Sequence, residues 1–272
     1  MKRAILHSWI VSIIVVFSGV LAGQEAPAKE SSDPEALKII AKAEAKIYSP
    51  TAKGLKSLYY VQKYGMSRVK RTYWFKAPDQ VKSVYGTPPS KEEEGSTVKR
   101  AIYVEQRVPD IVTRKNLGWL LGTPISFLER YGVFKIIHQA EGEAQIRFTA
   151  TTEDVQELVW THVDFYFDKD GILTKVHERM ATDARLEEHR ITWKPYKEGA
   201  DLLVFDTVTT IAGTADWQHI MISKYEYGEH DSFWLIDSVH RELRKDSKKF
   251  KDKFIDYRIN EAIDDSVFET KK

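Results

Sequence analysis

The chain has 272 residues, 41 Lys and Arg against 40 Asp and Glu, a formal net charge of +1 and no cysteine. The missing thiols exclude disulfides, thiolate metal sites, cysteine nucleophiles and a lipid-modified cysteine behind an export signal. The even charge gives no basic excess for nucleic acid and no acidic tail, and the length lets one large β domain or two small ones bury a core without covalent staples.

The first residues read as a secretory signal. Lys2 and Arg3 make a short positive start. Ile5 to Leu21 is apolar apart from His7, Ser8, Ser12, Ser18 and Gly19, and Val20-Leu21-Ala22 offers a cleavage site. An uncleaved anchor is the competing reading, because the run approaches the roughly 20 residues of a spanning helix. The polar interruptions and the polar stretch Gln24 to Ser32 favour cleavage. The expected organisation is a signal peptide over 1–22, a processed N-terminus over 23–32 and one domain over 33–272, exported to the periplasm.

Ser32-Asp33-Pro34-Glu35 is a helix start, and Ala36, Leu37, Ile40, Ala43 and Ile47 then form one apolar stripe that Ser49-Pro50 ends. From Leu55 the period changes to two. Leu58 to Tyr64 and Val69 to Phe75, around Gly65-Met66-Ser67, predict a hairpin. Further strands are expected at Val81 to Tyr85, Val98 to Val108, Phe134 to Gln139, Ala144 to Thr149, Val159 to Phe167 and Ile172 to Met180. The series continues at Leu186 to Trp193, Leu202 to Ile211, Trp217 to Tyr227, Phe233 to Leu243 and Phe254 to Ile259. Regular spacing without a Pro/Gly/Ser linker predicts a continuous antiparallel meander in one domain. Val163, Phe165 and Phe167 should point inward, with Trp160, His162, Asp164 and Tyr166 on the other face. The mixed-charge run Arg241 to Lys253 reads as a solvated loop between strands.

One segment breaks the β pattern. Leu117 to Gly132 is apolar, with a helix start at Thr123-Pro124, then Ile125, Phe127, Leu128 and Tyr131, and Gly132 placed to stop it. Trp119, Leu120, Leu121, Phe127 and Leu128 should cover the sheet, either as a plug in its core or as a lid over an apolar cavity.

Motifs for chemistry are few. The chain lacks Gly-x-Ser-x-Gly, Gly-x-Gly-x-x-Gly, a P-loop and His-Glu-x-x-His. The best metal-like pattern is His162-x-Asp164, joined by His177 across the Asp168–Gly171 turn. Polar residues on the outward face of a hairpin give the same pattern with no metal, so neither a metal nor any other cofactor is expected, nor an enzyme. Glu187, Glu188, Asp237, Asp264 and Asp265 are not paired by any spacing that suits acid/base work. The positive signal is aromatic content on strands, among them Tyr60, Tyr73, Phe75, Trp160 and Phe165. A two-layer core accounts for it, and so does a curved sheet whose concave side holds an acyl chain.

Three segments follow one another in a telling order. Phe75-Lys76-Ala77-Pro78-Asp79-Gln80-Val81-Lys82 precedes the helical insertion. Val163-Asp164-Phe165-Tyr166-Phe167-Asp168-Lys169-Asp170-Gly171-Ile172 follows it, and Asn260-Glu261-Ala262-Ile263-Asp264-Asp265-Ser266-Val267-Phe268 closes the series. This order resembles the LolA/LppX-like superfamily of periplasmic lipoprotein carriers and lipid-binding proteins. The resemblance implies a mainly β (α+β) fold: one curved antiparallel sheet forming an unclosed half-barrel, its concave face covered by an N-terminal helix and an inserted helical lid. On that layout the cavity and lid residues are Leu37, Ile40, Ile47, Tyr60, Tyr73, Phe75, Trp119, Leu120, Phe127, Leu128, Val163 and Phe165. The position where the carriers use an arginine to clasp the lid falls on Lys82, and lysine lacks the planar fork of arginine. The expected function is a non-catalytic carrier of lipid or lipoprotein acyl chains, with inner- and outer-membrane proteins as candidate partners and no nucleic acid. The alternative is a periplasmic sensor or adaptor on the same fold that binds a protein partner, of the type that regulates an anti-sigma factor.

Overall fold

Helix α1 (Pro34–Glu44) starts as its sequence requires. The Asp33 carboxylate caps it by accepting from the Glu35 backbone N–H at 2.9 Å, Pro34 occupies the first turn, and Ala36, Ile40 and Ala43 are buried. The helix stops at Glu44, short of the expected end at Ser49. Ile47 lies beyond it, in a parallel bridge to Leu203. The Lys46 carbonyl accepts from Leu203 N–H and Tyr48 N–H donates to the Leu203 carbonyl, both at 2.8 Å, so pairing with the sheet replaces another helical turn.

The computed structural model of the chain describes residues 31–65, 70–78, 80–86, 106–107, 110–151, 160–180, 186–214 and 218–269. The signal-like segment, most of the expected strand Val98 to Val108, Trp217 and the turn residues Met66 and Ser67 lie outside them. The first strands are β1 (Ser57–Lys63), β2 (Lys70–Lys76), β3 (Gln80–Gly86) and β4 (Gln106–Arg107). Helix α2 (Asp110–Leu121) and a 3-10 helix (Ser126–Tyr131) follow, and then β5 (Gly132–Ala140), β6 (Glu143–Ala150), β7 (Trp160–Phe167) and β8 (Leu173–Met180). The last are β9 (Leu186–Pro195), β10 (Leu203–Gly213), β11 (Gln218–His230), β12 (Phe233–Leu243) and β13 (Lys248–Ile259).

Among the described residues thirteen strands form one sheet, in the order β4-β3-β2-β1-β13-β12-β11-β10-β9-β8-β7-β6-β5, and each strand-to-strand pairing is antiparallel. The expected meander is therefore cut and rejoined. From β1 the chain runs outward to the edge at β4, crosses by α2 and the 3-10 helix to the opposite edge at β5, and returns strand by strand to β13, which pairs with β1. Register shifts interrupt the β1–β13, β9–β10, β11–β12, β5–β6 and β7–β8 pairs. Each leaves residues unpaired, bends its strand and adds twist, which curves the sheet into an unclosed half-barrel.

The run Arg241 to Lys253 is not a loop. It ends β12, turns, and opens β13, with Lys249, Lys251 and Lys253 exposed while Asp252 between them is buried. Asp252 accepts from Gln62 Nε2 at 3.3 Å and Gly65 N–H at 3.0 Å, so a charged residue occupies an inward position where alternation predicts an apolar one.

Helices cover the concave face in two patches. Ala36, Leu37 and Ile40 of α1, with Ile125 just ahead of the 3-10 helix and Leu128 within it, pack on Phe134, Ile146, Phe148, Val163, Phe165 and Ile191. Leu117, Leu120 and Leu121 of α2 pack on Leu58, Tyr60, Tyr73, Phe75, Leu235 and Val239. Val163, Phe165 and Phe167 point inward as expected. The insertion, however, is two elements and begins earlier than its apolar stretch. Thr123-Pro124 is the turn between α2 and the 3-10 helix, and Gly122 ends α2 at φ +76°, where an added Cβ would lie 2.4 Å from the Tyr48 carbonyl oxygen.

Glu44 ties these helices together. It accepts from Ile125 N–H at 2.7 Å, from Ser126 N–H at 3.0 Å and from the Ser126 hydroxyl. Burial pushes its pKa up, against the lowering by those Ser126 and Ile125 hydrogen bonds. Glu44→Ala strands the two backbone donors and is expected to cost about 2–3 kcal/mol in urea unfolding. A loss below about 0.5 kcal/mol would mean water replaces the carboxylate.

Candidate functional site: a cavity under helix α2

Alternation along β1 and β2 sends Tyr60 and Tyr73 to the concave side, where they stack at 4.6 Å between ring centroids and 11° between planes. Burial pushes both phenols well above their ordinary range. The Tyr73 hydroxyl donates to Gln62 Oε1 at 3.2 Å. Across the sheet Phe205 packs on Trp193 at 4.4 Å, on Trp119 of α2 at 4.8 Å edge-on, and on Tyr225 at 5.7 Å. Between these groups, Leu120 and the middle strands is a cavity of about 430 Å³.

One stretch of its wall is charged. Lys115 of α2 reaches both carboxylate oxygens of Glu178 on β8, whose side chain is 3% exposed. Burial alone would raise the Glu178 pKa, but the Lys115 ammonium and the His189 contact outweigh it and hold the group at about 2. Glu187 and His189 of β9 complete the patch. Elsewhere on the wall Arg241 places Nε 3.0 Å from Asp252 Oδ2.

Thr113 and Lys115 both strap helix α2 to the sheet. The Thr113 and Ser83 hydroxyls meet at 2.7 Å, and Ser83 Oγ accepts from Arg71 Nε at 3.2 Å and Nη2 at 2.9 Å. Arg71 is 3% exposed, stacks over Tyr73 and Tyr85, and donates to the Tyr85 hydroxyl at 3.2 Å. The second strap is Lys115–Glu178.

Of the residues the sequence singled out, Tyr60, Tyr73, Trp119 and Leu120 meet at the cavity. Phe75 and Phe127 line a separate open groove beside α2, of about 550 Å³. Leu37, Ile40, Leu128, Val163 and Phe165 belong to the packed core under α1, and Ile47 is buried at its bridge to Leu203. Lys82 shares the outer face with its cross-strand partner Trp74 and donates to the Val267 carbonyl at 2.6 Å, so it holds the C-terminal segment and not the helical cover. Asp164 is held by Arg147 at 2.6 and 2.7 Å, and His177 by Glu188 at 2.7 Å and the Tyr166 hydroxyl at 3.2 Å, which spends the metal-like pattern on other partners. Sequence reasoning missed Lys115, Glu178 and His189. The available signal was that Glu187 and His189 alternate onto one face; Glu178 comes opposite Glu187 only through the β8–β9 register.

No helix among the described residues is long and apolar enough to cross a membrane. No family model and no curated protein sequence matches the chain. Among solved structures it is similar to one described as an outer membrane lipoprotein-sorting protein domain from Vibrio parahaemolyticus, at 11% identity over 86% of this chain and 96% of that one, TM-score 0.36. It is similar to a DUF1329 family protein from Desulfovibrio piger, at 9% identity over 88% and 98%, TM-score 0.37. A LolA superfamily protein from Nitrosomonas europaea gives 9% identity over 86% and 97%, TM-score 0.37. The first and third descriptions name proteins of the kind the motif order resembles.

Proposed function

We propose that the chain is a non-catalytic carrier that holds the acyl chain of a lipid or lipoprotein in the cavity under α2, acting in the periplasm after export. The observation that carries this reading is the space itself. The sheet is packed under α1, yet under α2 it leaves about 430 Å³, where Tyr60, Tyr73, Trp119, Leu120, Phe205 and Val239 share the wall with polar and charged groups such as Gln62 and Arg241. That volume falls within the roughly 300–1,000 Å³ of small-molecule sites, which are mostly apolar with a few fixed polar groups. Helix α2, held at Thr113 and Lys115, is the cover on this reading, and the signal-like start of the chain supports export. Proteins of the inner and outer membranes would supply and receive the ligand.

Purification without detergent, followed by mass spectrometry of extracted lipid, tests the reading, with a fluorescent fatty acid as the titrating probe. One probe should bind per chain. Trp119→Ala should weaken it by about tenfold or more, since a large buried apolar contact is worth about 1.5–3 kcal/mol. A folded parent protein that yields no lipid and binds no probe would reject the carrier.

A further inference from the structure

The charged stretch of the cavity wall has a geometry that lipid binding does not need. Glu178 and Glu187 are direct partners across β8 and β9, an arrangement in which like charges repel. His189, two residues beyond Glu187 on the same face, places Nε2 3.5 Å from Glu178 Oε1 and 3.7 Å from Glu187 Oε2. Both separations exceed the roughly 2.7–3.2 Å of an N–H···O hydrogen bond. Nε2 is buried and makes no hydrogen bond among the described residues, while Nδ1 lies 3.1 Å from the Thr210 hydroxyl on the neighbouring strand.

We infer that Glu178, Glu187 and His189 form a binding site for a divalent first-row transition cation on the cavity wall. One oxygen from each carboxylate and the imidazole nitrogen all lie within 4.8 Å of one another. A zinc ion with bonds of about 2.0–2.2 Å spaces its tetrahedral ligand atoms about 3.3–3.6 Å apart, close to the two distances from Nε2. Thr210 acts as the outer partner that metal-bound imidazoles normally have: accepting Nδ1–H, it turns the Nε2 lone pair toward the two carboxylates. One imidazole with two carboxylates suits zinc or manganese better than calcium, which takes oxygen ligands alone. Lys115 is the competing cation. It engages Glu178 from α2, and a metal ion takes over that carboxylate as the ammonium withdraws. The inference stands whether or not the cavity carries a lipid.

The test is calorimetric titration of the full chain, stripped with a chelator, using Zn²⁺ alone. One equivalent should bind with micromolar affinity or better. Glu187→Gln and His189→Ala should each weaken it at least about tenfold, and Thr210→Val by about tenfold. Lys115→Met should strengthen it by removing the competitor. His230→Ala, which alters an exposed His–Asp pair elsewhere, should leave it unchanged. Glu187 is partly exposed and among the described residues makes only the long contact to His189, so Glu187→Gln keeps the fold and the test decisive even if Lys115→Met fails to fold. Absence of stoichiometric binding, or binding indifferent to Glu187→Gln and His189→Ala, would overturn the site.

Discussion

Lys115→Met is expected to cost the fold about 3–5 kcal/mol in metal-free buffer, the usual penalty for removing one partner of a buried ion pair. Glu178 is 3% exposed, and the Lys115 ammonium is the largest influence lowering its pKa against burial. Methionine keeps most of the stem's packing, so the loss isolates the charge. The double variant Lys115→Met/Glu178→Leu should recover most of that stability, because the desolvated carboxylate leaves with its partner. Urea unfolding of the two singles and the double measures the coupling. A single-variant loss below about 1 kcal/mol would show that water or His189 satisfies Glu178 without the helix.

Phe134→Ala should be as damaging, by about 3–5 kcal/mol, through a different cause. Phe134 is fully buried at the start of β5, with Phe148 at 5.4 Å and Phe165 at 6.3 Å, beneath α1. It lines no part of the cavity under α2. Its removal should therefore lower the unfolding midpoint and leave fatty-acid probe affinity within about twofold of the parent, whereas Trp119→Ala should do the reverse. Equal effects of both variants on both measurements would mean that core and cavity form one packing unit.

Much of the fold was legible because most of its strands obey simple alternation. Phe233–Leu243 falls where the pattern places it, and Asp33-Pro34 marks the start of α1. Two of the stretches misread from sequence share a physical reason. Helix α2 carries Thr113, Arg114, Lys115 and Asn116 ahead of Leu117, because part of what it covers is the polar stretch around Ser83 and Glu178. An apolar stripe therefore appears only in its last turn. The first half of strand β13, ahead of the expected Phe254 to Ile259, hides for the same reason, with buried Asp252 where a hydrophobic residue would have announced a strand. At the site, Tyr60, Tyr73, Trp119 and Leu120 were legible as large apolar groups on the right elements. Glu178 and Glu187 were not, since they meet only through the register of two strands, which no local spacing reveals.

The seam between β1 and β13 sets the order in which the molecule can be assembled. Gln62 and Asp252, which meet across it, are 190 positions apart in the chain. As the polypeptide is made, β1 to β4 and β5 to β12 can form two separate ribbons, each with a bare edge at β1 or β12. Such edges invite pairing with other chains. Only the arrival of β13 joins them, because it is the strand both edges share. Closing so long a loop costs little more entropy than closing a moderate one, but long-range pairing makes folding slow. Continuity of the sheet thus waits on β13, which is synthesised after the other described strands, and the interval before it is when the chain is most exposed to misassembly.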